Sequence, residues 1–310
     1  MCIRDRSYDA EGLRMQGLLG PDTVMEIYWG YYMTGDKKYV DRIEALGLAM
    51  ANNYTDWNSH RHFLECAGAI AAGGLIIDLF YDELSKETKD TIARAVINFG
   101  IRPANDHYYG RGQSNWALRT NNWNIVCNSG VITGCLALMD EYEPELCADT
   151  IEKALFSSEQ MMHTYAPEGG WMEGVSYWDY TVSNNVMECH VLQTTMGTDF
   201  GISNPPGFMN TGYFPLYVSG NAGALSYHDA PRHLTVSSEE LWWFAKQNHD
   251  GGLARLRLDN MKKTNSSGTF RDMLWYNPEG MSEEIELDLD KYFSYTEIAT
   301  MPLFMAPVFA

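Results

Sequence analysis

Apolar residues recur at helical spacing along the first two thirds of the chain, from about Asp22 to about Gly197. Turn residues such as Gly35 and Asp36 interrupt this pattern, so it predicts a series of separate helices. Asp22 is a residue type that caps helix N-termini, and we expect it to cap the first one. The predicted helices cover residues 22–34, 38–52, 63–80, 85–100, 123–139, 144–165 and 176–196.

The fourth predicted helix carries Ile92, Val96 and Phe99 on one face. We expect it to stop at Gly100, because glycine commonly follows the last turn of a helix. The longest apolar run, residues 66–77, is too short to cross a bilayer and indicates a buried helix.

Several predicted helices pair as hairpins, which begin near residues 23, 63 and 123. The more apolar members of these hairpins alternate with amphipathic ones. Because stacked α-hairpins of this kind bury one helix of each pair, the pattern predicts a mainly α fold, either an α/α toroid or a solenoid. We expect the incomplete α/α toroid.

The helical pattern loosens after Gly197. Residues 205–207 (PPG) mark a loop, and residues 237–248 indicate one more helix. Residues 284–290 alternate apolar side chains with acids, which is strand periodicity. The apolar ending, residues 301–310, has nothing to pack on and favours a truncated chain.

Three segments are therefore expected. Residues 1–8 resemble a non-native scar, which indicates that the true N-terminus is missing. Residues 9–280 are predicted to form the toroid domain. Residues 281–310 are predicted to begin a C-terminal β-sandwich that is mostly missing.

Composition narrows the class of function. Asp and Glu outnumber Lys and Arg by 41 to 22, which gives a net charge of -19 and argues against nucleic-acid binding. The six cysteines form no CxxC pair and the eight histidines no HxxxH pair, so we expect no metal and no cofactor. The 13% aromatic content suits a sugar-binding cleft and a large core equally.

Three segments carry a resemblance to a known family. They are residues 120–130 (TNNWNIVCNSG), residues 165–178 (YAPEGGWMEGVSYW), and residues 197–201 (GTDFG) followed by 206–208 (PGF). In order and spacing they resemble the toroid of heparinase II/III-like polysaccharide lyases, which include heparin/heparan and alginate/oligoalginate lyase relatives.

The resemblance implies a fold and an activity. In that family an α/α toroid precedes a β-sandwich, and the enzymes cleave uronic-acid-containing glycans, including glycosaminoglycans, by β-elimination. The family's active-site tyrosine matches Tyr177, and its carboxylate-binding asparagine matches Asn122 or its neighbour Asn121. Some members place a histidine directly after that asparagine, where this chain has Trp123, and a further histidine usually comes from the sandwich. The identity of the base therefore stays open.

β-Elimination needs a damped carboxylate charge, a base for the C5 proton and an acid for the leaving oxygen. Asn122, Asn121 and Arg119 are the predicted donors to the carboxylate. A tyrosine has an ordinary pKa of about 10, so Tyr177 as a base needs help from a cation or a donor, whereas as an acid it needs none. A syn mechanism uses one tyrosine for both steps; an anti mechanism adds a histidine base.

Other residues have two interpretations each. An asparagine before a helix is an ordinary cap, so we expect one of Asn121 and Asn122 to cap and the other to face the cleft. Trp123, Trp171 and Trp178 suit sugar stacking or core packing. Glu173 is a further candidate for substrate contact.

Two other functions remain open from the sequence. Glu168 and Glu173 could be the acid and base of a glycoside hydrolase on the same toroid. A non-catalytic carbohydrate-binding scaffold is the other alternative, favoured by Trp123 in place of the histidine.

The expected partner is an acidic poly- or oligosaccharide, with plain or lightly sulfated uronates favoured. Exposed charges are screened within about 8–10 Å at physiological salt, so a local cluster of Arg111, Arg119 and Arg232 suits a polyanion despite the acidic net charge. No membrane partner is expected, and a homodimer is left open. The resemblance favours a periplasmic or extracellular location, and whether the truncated chain is itself active is also open.

Three histidine positions give little indication of a functional role. His163 and His190 lie on predicted helices and indicate polar core or surface positions. The pair His228-Asp229 could orient a ring toward the cleft.

Overall fold

The protein is mainly helical and divides into two compact units. The computed structural model describes residues 19–53, 57, 62–220, 223–227, 238–279, 281, 285, 287–288 and 290–300. Of these, 67% are in helices and 4% in strands. The first unit contains the described residues up to Met161 together with Met187–Phe200, and the second contains Met162–Val186 and the described residues from Gly201 onward.

The first unit is built almost wholly of helices. They are α1 (Pro21–Thr34), α2 (Lys38–Asn52), α3 (Phe63–Leu79), α4 (Lys86–Ala95), α5 (Arg102–Tyr108), α6 (Asn122–Leu138) and α7 (Pro144–Met162), with the last turns of α8 (Val175–Met196). The predicted helices of this region are confirmed to within a few residues, except for the end of the fourth. Asp22 lies in the first turn of α1, whose cap is Gly20 with no side-chain bond, so its predicted capping role is wrong.

Helices α3 and α6 pack tightly against each other. A Cβ at Gly130 would lie 2.4 Å from the Ala67 carbonyl oxygen, and one at Gly134 would lie 2.3 Å from Ile70 Cγ2. Only glycine allows this approach. Because the contacts advance in the same direction along both helices, α3 and α6 run parallel and their N-termini lie at the same end. Both helices are buried on nearly all sides, as helices that are apolar all round must be.

The segment after α4 does not stop at Gly100, contrary to the prediction. It continues as a π-helical turn (Val96–Ile101) directly into α5. Arg102 N–H donates to the Ile97 carbonyl, five residues back, and Pro103 lies in the first turn of α5, where its missing N–H costs nothing. Gly100 serves packing instead, because a Cβ there would lie 2.4 Å from Ile70 Cγ1.

The second unit has shorter elements. Its helices are the first turns of α8, then α9 (Phe214–Val218), α10 (Leu241–Asn248), α11 (Gly251–Thr264) and α12 (Phe270–Trp275). Its strands form two antiparallel pairs, β1 (Ser219–Gly220) with β2 (Gly223–Ala224) and β3 (Lys291–Phe293) with β4 (Ile298–Thr300). The described positions of the predicted strand over 284–290 are not in a strand, and the pairing begins just after it.

Two further findings concern the cysteines and the helices of the described residues. Among the described cysteines, all five are free of disulfide bonds and buried. No helix in the described part of the chain is long and apolar enough to span a membrane.

Candidate active site

The start of α6 is organised by the asparagine pair. Asn121 is the N-cap, and its side-chain oxygen accepts a hydrogen bond from the backbone N–H of Trp123 at 3.3 Å. The prediction that one of the two asparagines caps this helix is thereby confirmed. Asn122 is the first helical residue and is only 4% exposed, so its side chain is buried.

Trp123 is half-buried and has a charged and a titratable neighbour. The Arg119 guanidinium lies over its ring, 5.2 Å from the centroid, and the Arg119 Nε donates to Asn115 Oδ1 at 3.2 Å. The His62 ring meets Trp123 edge-on, with ring centroids 4.9 Å apart. This end of the first unit therefore combines a cation, an imidazole and two amides.

A buried polar network fixes α6 behind this end. Asn124 Nδ2 donates to Ser157 Oγ at 3.0 Å, and Asn128 Nδ2 donates to Asn124 Oδ1 at 2.8 Å. Tyr108 donates to Asn128 Oδ1 at 2.6 Å, and Ser157 donates to the Ala117 carbonyl at 2.7 Å. Because buried amides are stable only when hydrogen-bonded, this network holds α6 in one position relative to α7.

Tyr177 lies in the first turns of α8, in the second unit, and is half-buried. The next residue, Trp178, is 0% exposed, and its indole N–H donates to Thr211 Oγ1 at 2.8 Å. Thr211 in turn donates to the Gly169 carbonyl at 2.6 Å. A stacked sugar needs an open ring face, so this position argues against the predicted substrate contact of Trp178 and gives it a packing role.

Asp179, which follows Trp178, is also tied to a distant segment of the second unit. Ser238 Oγ donates to Asp179 Oδ1 at 2.7 Å. Burial raises the pKa of Asp179 to about 6, and the nearby Glu239 adds to the rise. Glu240 is 0% exposed, and burial together with Asp179 raises its pKa well above the ordinary value. Both carboxyl groups are thus held closer to the neutral form than an exposed acid would be.

The second and third sequence segments interlock in this unit. Gly207 has φ +89°, and a Cβ there would lie 2.0 Å from the Tyr165 carbonyl oxygen. Gly169 N–H donates to that same oxygen at 2.7 Å, and Tyr165 OH donates to Asn185 Oδ1 at 2.7 Å. The glycines of these segments therefore serve close backbone packing around Tyr165.

The remaining residues of the second segment have structural contacts. The Glu168 carboxylate accepts from the backbone N–H and the hydroxyl of Ser294, at 3.0 and 2.9 Å, and so ties the β3–β4 hairpin down. Trp171 is 1% exposed and packs against Tyr165, which assigns it to the core. Glu173 is half-buried in the turn before α8.

A pocket of 490 Å³ opens beside this segment. Its lining residues are Met172, Tyr227, Tyr295, Thr296, Glu297 and Ile298. Tyr227 is fixed there because its hydroxyl donates to the Trp171 carbonyl at 2.6 Å. The lining combines aromatic rings with polar groups.

The predicted site residues are divided between the two units. Arg119, Asn121, Asn122 and Trp123 belong to the first unit and Tyr177 to the second. Their expected convergence to within about 10 Å, which contact with one sugar ring would require, stays a prediction.

Other candidates contribute less. Arg111 is exposed and paired with Asp106, with Nε and Oδ1 2.9 Å apart, and His163 is exposed. His228, Asp229 and Arg232 lie outside the described residues. Among the described residues, no cluster of His, Cys, Asp and Glu could hold a metal ion.

His62 is the neighbour that sequence reasoning missed. It precedes α3 and is far from Asn122 along the chain. Only the parallel packing of α3 and α6 brings it beside Trp123.

Comparisons of the chain with models of known protein families and with curated proteins found no match.

Proposed function

We propose that this chain is the helical part of a polysaccharide lyase that cleaves uronic-acid-containing glycans by β-elimination. Tyr177 is the acid/base group toward the sugar, and Asn122 damps the charge of the uronate carboxylate. The observation that carries the proposal is how the residues next to Tyr177 hold it in place. Its neighbours Trp178 and Asp179 are both tied to other elements, while Tyr177 itself stays partly accessible.

A preorganised hydroxyl is what proton transfer to a leaving oxygen requires. The acid must reach the oxygen within hydrogen-bond distance at the moment the bond breaks, and a fixed side chain reaches it without reorganisation. The hydrogen bonds of Trp178 and Asp179, the next two residues along the helix, give this turn of α8 that rigidity.

The start of α6 supports carboxylate binding. Anions are stabilised near helix N-termini, where backbone N–H groups lack partners within the helix. Arg119 adds a cation one turn before the helix, and a cation binds a carboxylate more strongly than an amide does. Charge that flows into the carboxylate during loss of the C5 proton would be stabilised there.

We also propose that the helices are arranged as an incomplete α/α toroid. In such a fold the inner helices run parallel to one another and are buried on most sides. The parallel, largely buried pair α3 and α6 supports this arrangement.

One contact favours the lyase over the glycoside hydrolase. A hydrolase with Glu168 and Glu173 as acid and base needs both carboxyl groups facing the scissile bond. Both hydrogen bonds from Ser294 go to one oxygen of Glu168, which gives this residue a structural task.

The experiment is Tyr177→Phe in the full-length protein encoded by the gene. The change removes one hydroxyl and should leave folding and substrate affinity nearly intact. We expect the rate of double-bond formation on alginate or heparan, followed by ultraviolet absorbance, to fall about a hundredfold or more, since a positioned acid–base group contributes about 10²–10⁴-fold.

Tyr276→Phe is the matched control, because Tyr276 is 56% exposed and its ring packing against Trp242 survives the change. It should react at the wild-type rate. The protein would be the glycoside hydrolase if two results held together. Glu168→Gln or Glu173→Gln would have to abolish cleavage of the glycan, and Tyr177→Phe would still have to cleave it without forming a double bond.

A further inference from the structure

His62 is held at a defined position although its side chain is exposed. It is the N-cap residue of α3, and the next residue, Phe63, is 0% exposed. The Phe63 ring stacks on Trp116, with centroids 4.9 Å apart and planes 23° from parallel. This anchor fixes the backbone of His62 while its ring projects to Trp123.

The position beside Trp123 follows from the helix packing. The close contacts at Gly130 and Gly134 hold α3 and α6 parallel, so the N-terminal ends of both helices lie side by side. The imidazole of His62 and the guanidinium of Arg119 both contact the Trp123 ring, at 4.9 and 5.2 Å between centres. An imidazole and a carboxylate-binding cation therefore share one aromatic side chain.

The chemistry of a uronate explains why a base is needed beside a carboxylate-binding group. In a uronate the C5 carbon is bonded directly to the carboxylate carbon. Whatever group takes the C5 proton must therefore lie next to the groups that hold the carboxylate. Histidine suits this task because its ordinary pKa is the nearest to neutral among side chains, which maximises its efficiency as a base.

We propose that His62 is the base of the elimination, an assignment that rests on the proposed lyase function. A ring nitrogen of His62 takes the C5 proton, and the C5–H electron pair forms the C4–C5 double bond. The C4–O4 bond breaks, and O4 leaves with its electron pair and takes a proton from a general acid. The imidazolium then returns its proton to solvent, so no oxidant, reductant or metal is needed.

The test is His62→Asn in the full-length protein, with His163→Asn as the matched control on an exposed histidine in the other unit. We expect kcat on the preferred uronate polymer to fall about a hundredfold or more, with KM changed much less. The kcat of His163→Asn should stay at the wild-type value. Added imidazole should restore part of the activity of His62→Ala.

The outcomes separate the two proposals. A lyase in which His62→Asn keeps the wild-type kcat would leave the proposed function intact and overturn the assignment of His62. A wild-type protein that forms no double bond on any uronate polymer overturns the proposed function and the assignment together. Circular dichroism and a thermal melt of His62→Asn establish that the variant is folded, which is expected because the side chain is exposed.

Discussion

Asp272 and Glu188 are both buried carboxyl groups, one in each unit, and their pKa values move in opposite directions. Asp272, 6% exposed in α12, accepts from Arg257 Nε and Nη2, each at 2.7 Å. It also accepts from the Trp242 indole at 3.0 Å and the Thr269 backbone N–H at 2.7 Å. Burial alone would raise its pKa, but the bonds from Arg257 and Thr269 outweigh burial and lower it.

Glu188, 0% exposed in α8, has no such donors. Neither of its carboxyl oxygens has a hydrogen-bond partner of ordinary geometry among the described residues. Burial raises its pKa to about 8; Asp199 adds to the rise and the Ser158 hydroxyl opposes it. The comparison shows that the donors around a buried acid, rather than its burial, decide whether it carries charge.

The largest expected effect comes from removing the donors of Asp272. Arg257→Leu takes away two charge-assisted bonds and leaves a buried carboxylate without its cation. We expect the free energy of unfolding to fall by about 3–5 kcal/mol at neutral pH, the usual cost of breaking a buried ion pair. Urea denaturation followed by circular dichroism measures the loss.

The double variant Arg257→Leu with Asp272→Leu controls for the origin of that loss. It removes both charges, so it should be more stable than Arg257→Leu alone. If Arg257→Leu cost less than about 1 kcal/mol, the bonds from Arg257 would not be what lowers the pKa of Asp272.

The second effect concerns the pH dependence that Glu188 contributes. Its pKa is raised from 4.5 to about 8 in the folded state. The folded protein therefore keeps a proton that the unfolded chain loses, and this contribution to stability is complete below about pH 4.5 and disappears as pH rises through about 8. Each pH unit inside that window is worth about 1.4 kcal/mol.

Glu188→Gln should remove this slope, because glutamine stays neutral. Between pH 5.5 and 7.5 we expect the wild-type protein to lose about 2–3 kcal/mol more stability than Glu188→Gln does. Glu152→Gln is the control, since Glu152 is exposed in α7, and it should keep the wild-type slope. Equal slopes in all three proteins would mean that Glu188 is ionised in the folded state.

Long apolar periodicity made most of the first unit predictable from sequence. The bounds of α2, α3, α6 and α8 match the predicted helices closely, because each carries an extended apolar pattern between turn residues. The segment after α4 was mispredicted, since Gly100 is there for contact with α3 and not to end a helix. Local sequence does not distinguish these two roles of glycine.

The second unit was less predictable because its elements are short. Helix α11 begins with Gly251-Gly252, which resemble a loop, yet Asp250 caps it by accepting from Gly252 N–H at 2.9 Å. The packing role of Trp178 also depends on a partner, Thr211, that is distant along the chain. His62 escaped notice for the same reason, because parallel packing of two helices leaves no local trace.

The smallest expected effect comes from the helix cap at Asp272, the part of its environment that the local sequence encodes. Thr269 and Asp272 form a capping box at the start of α12, in which each side chain bonds the other's backbone N–H. Thr269→Ala removes one of these two bonds and keeps the backbone donor to Asp272 in place. We expect a loss of about 1 kcal/mol in the free energy of unfolding, the usual value for a lost N-cap.

Thr269→Ser is the matched variant, because serine retains the hydroxyl and should stay near wild-type stability. The pH dependence decides what the threonine contributes. If Thr269→Ala loses the same stability at neutral pH and at a pH below 3.8, the ordinary pKa of this carboxyl, the hydroxyl acts only as a cap. A larger loss at neutral pH, where Asp272 is ionised, would mean that the cap also helps Asp272 to hold its charge, and its share would then have to be subtracted from that of Arg257.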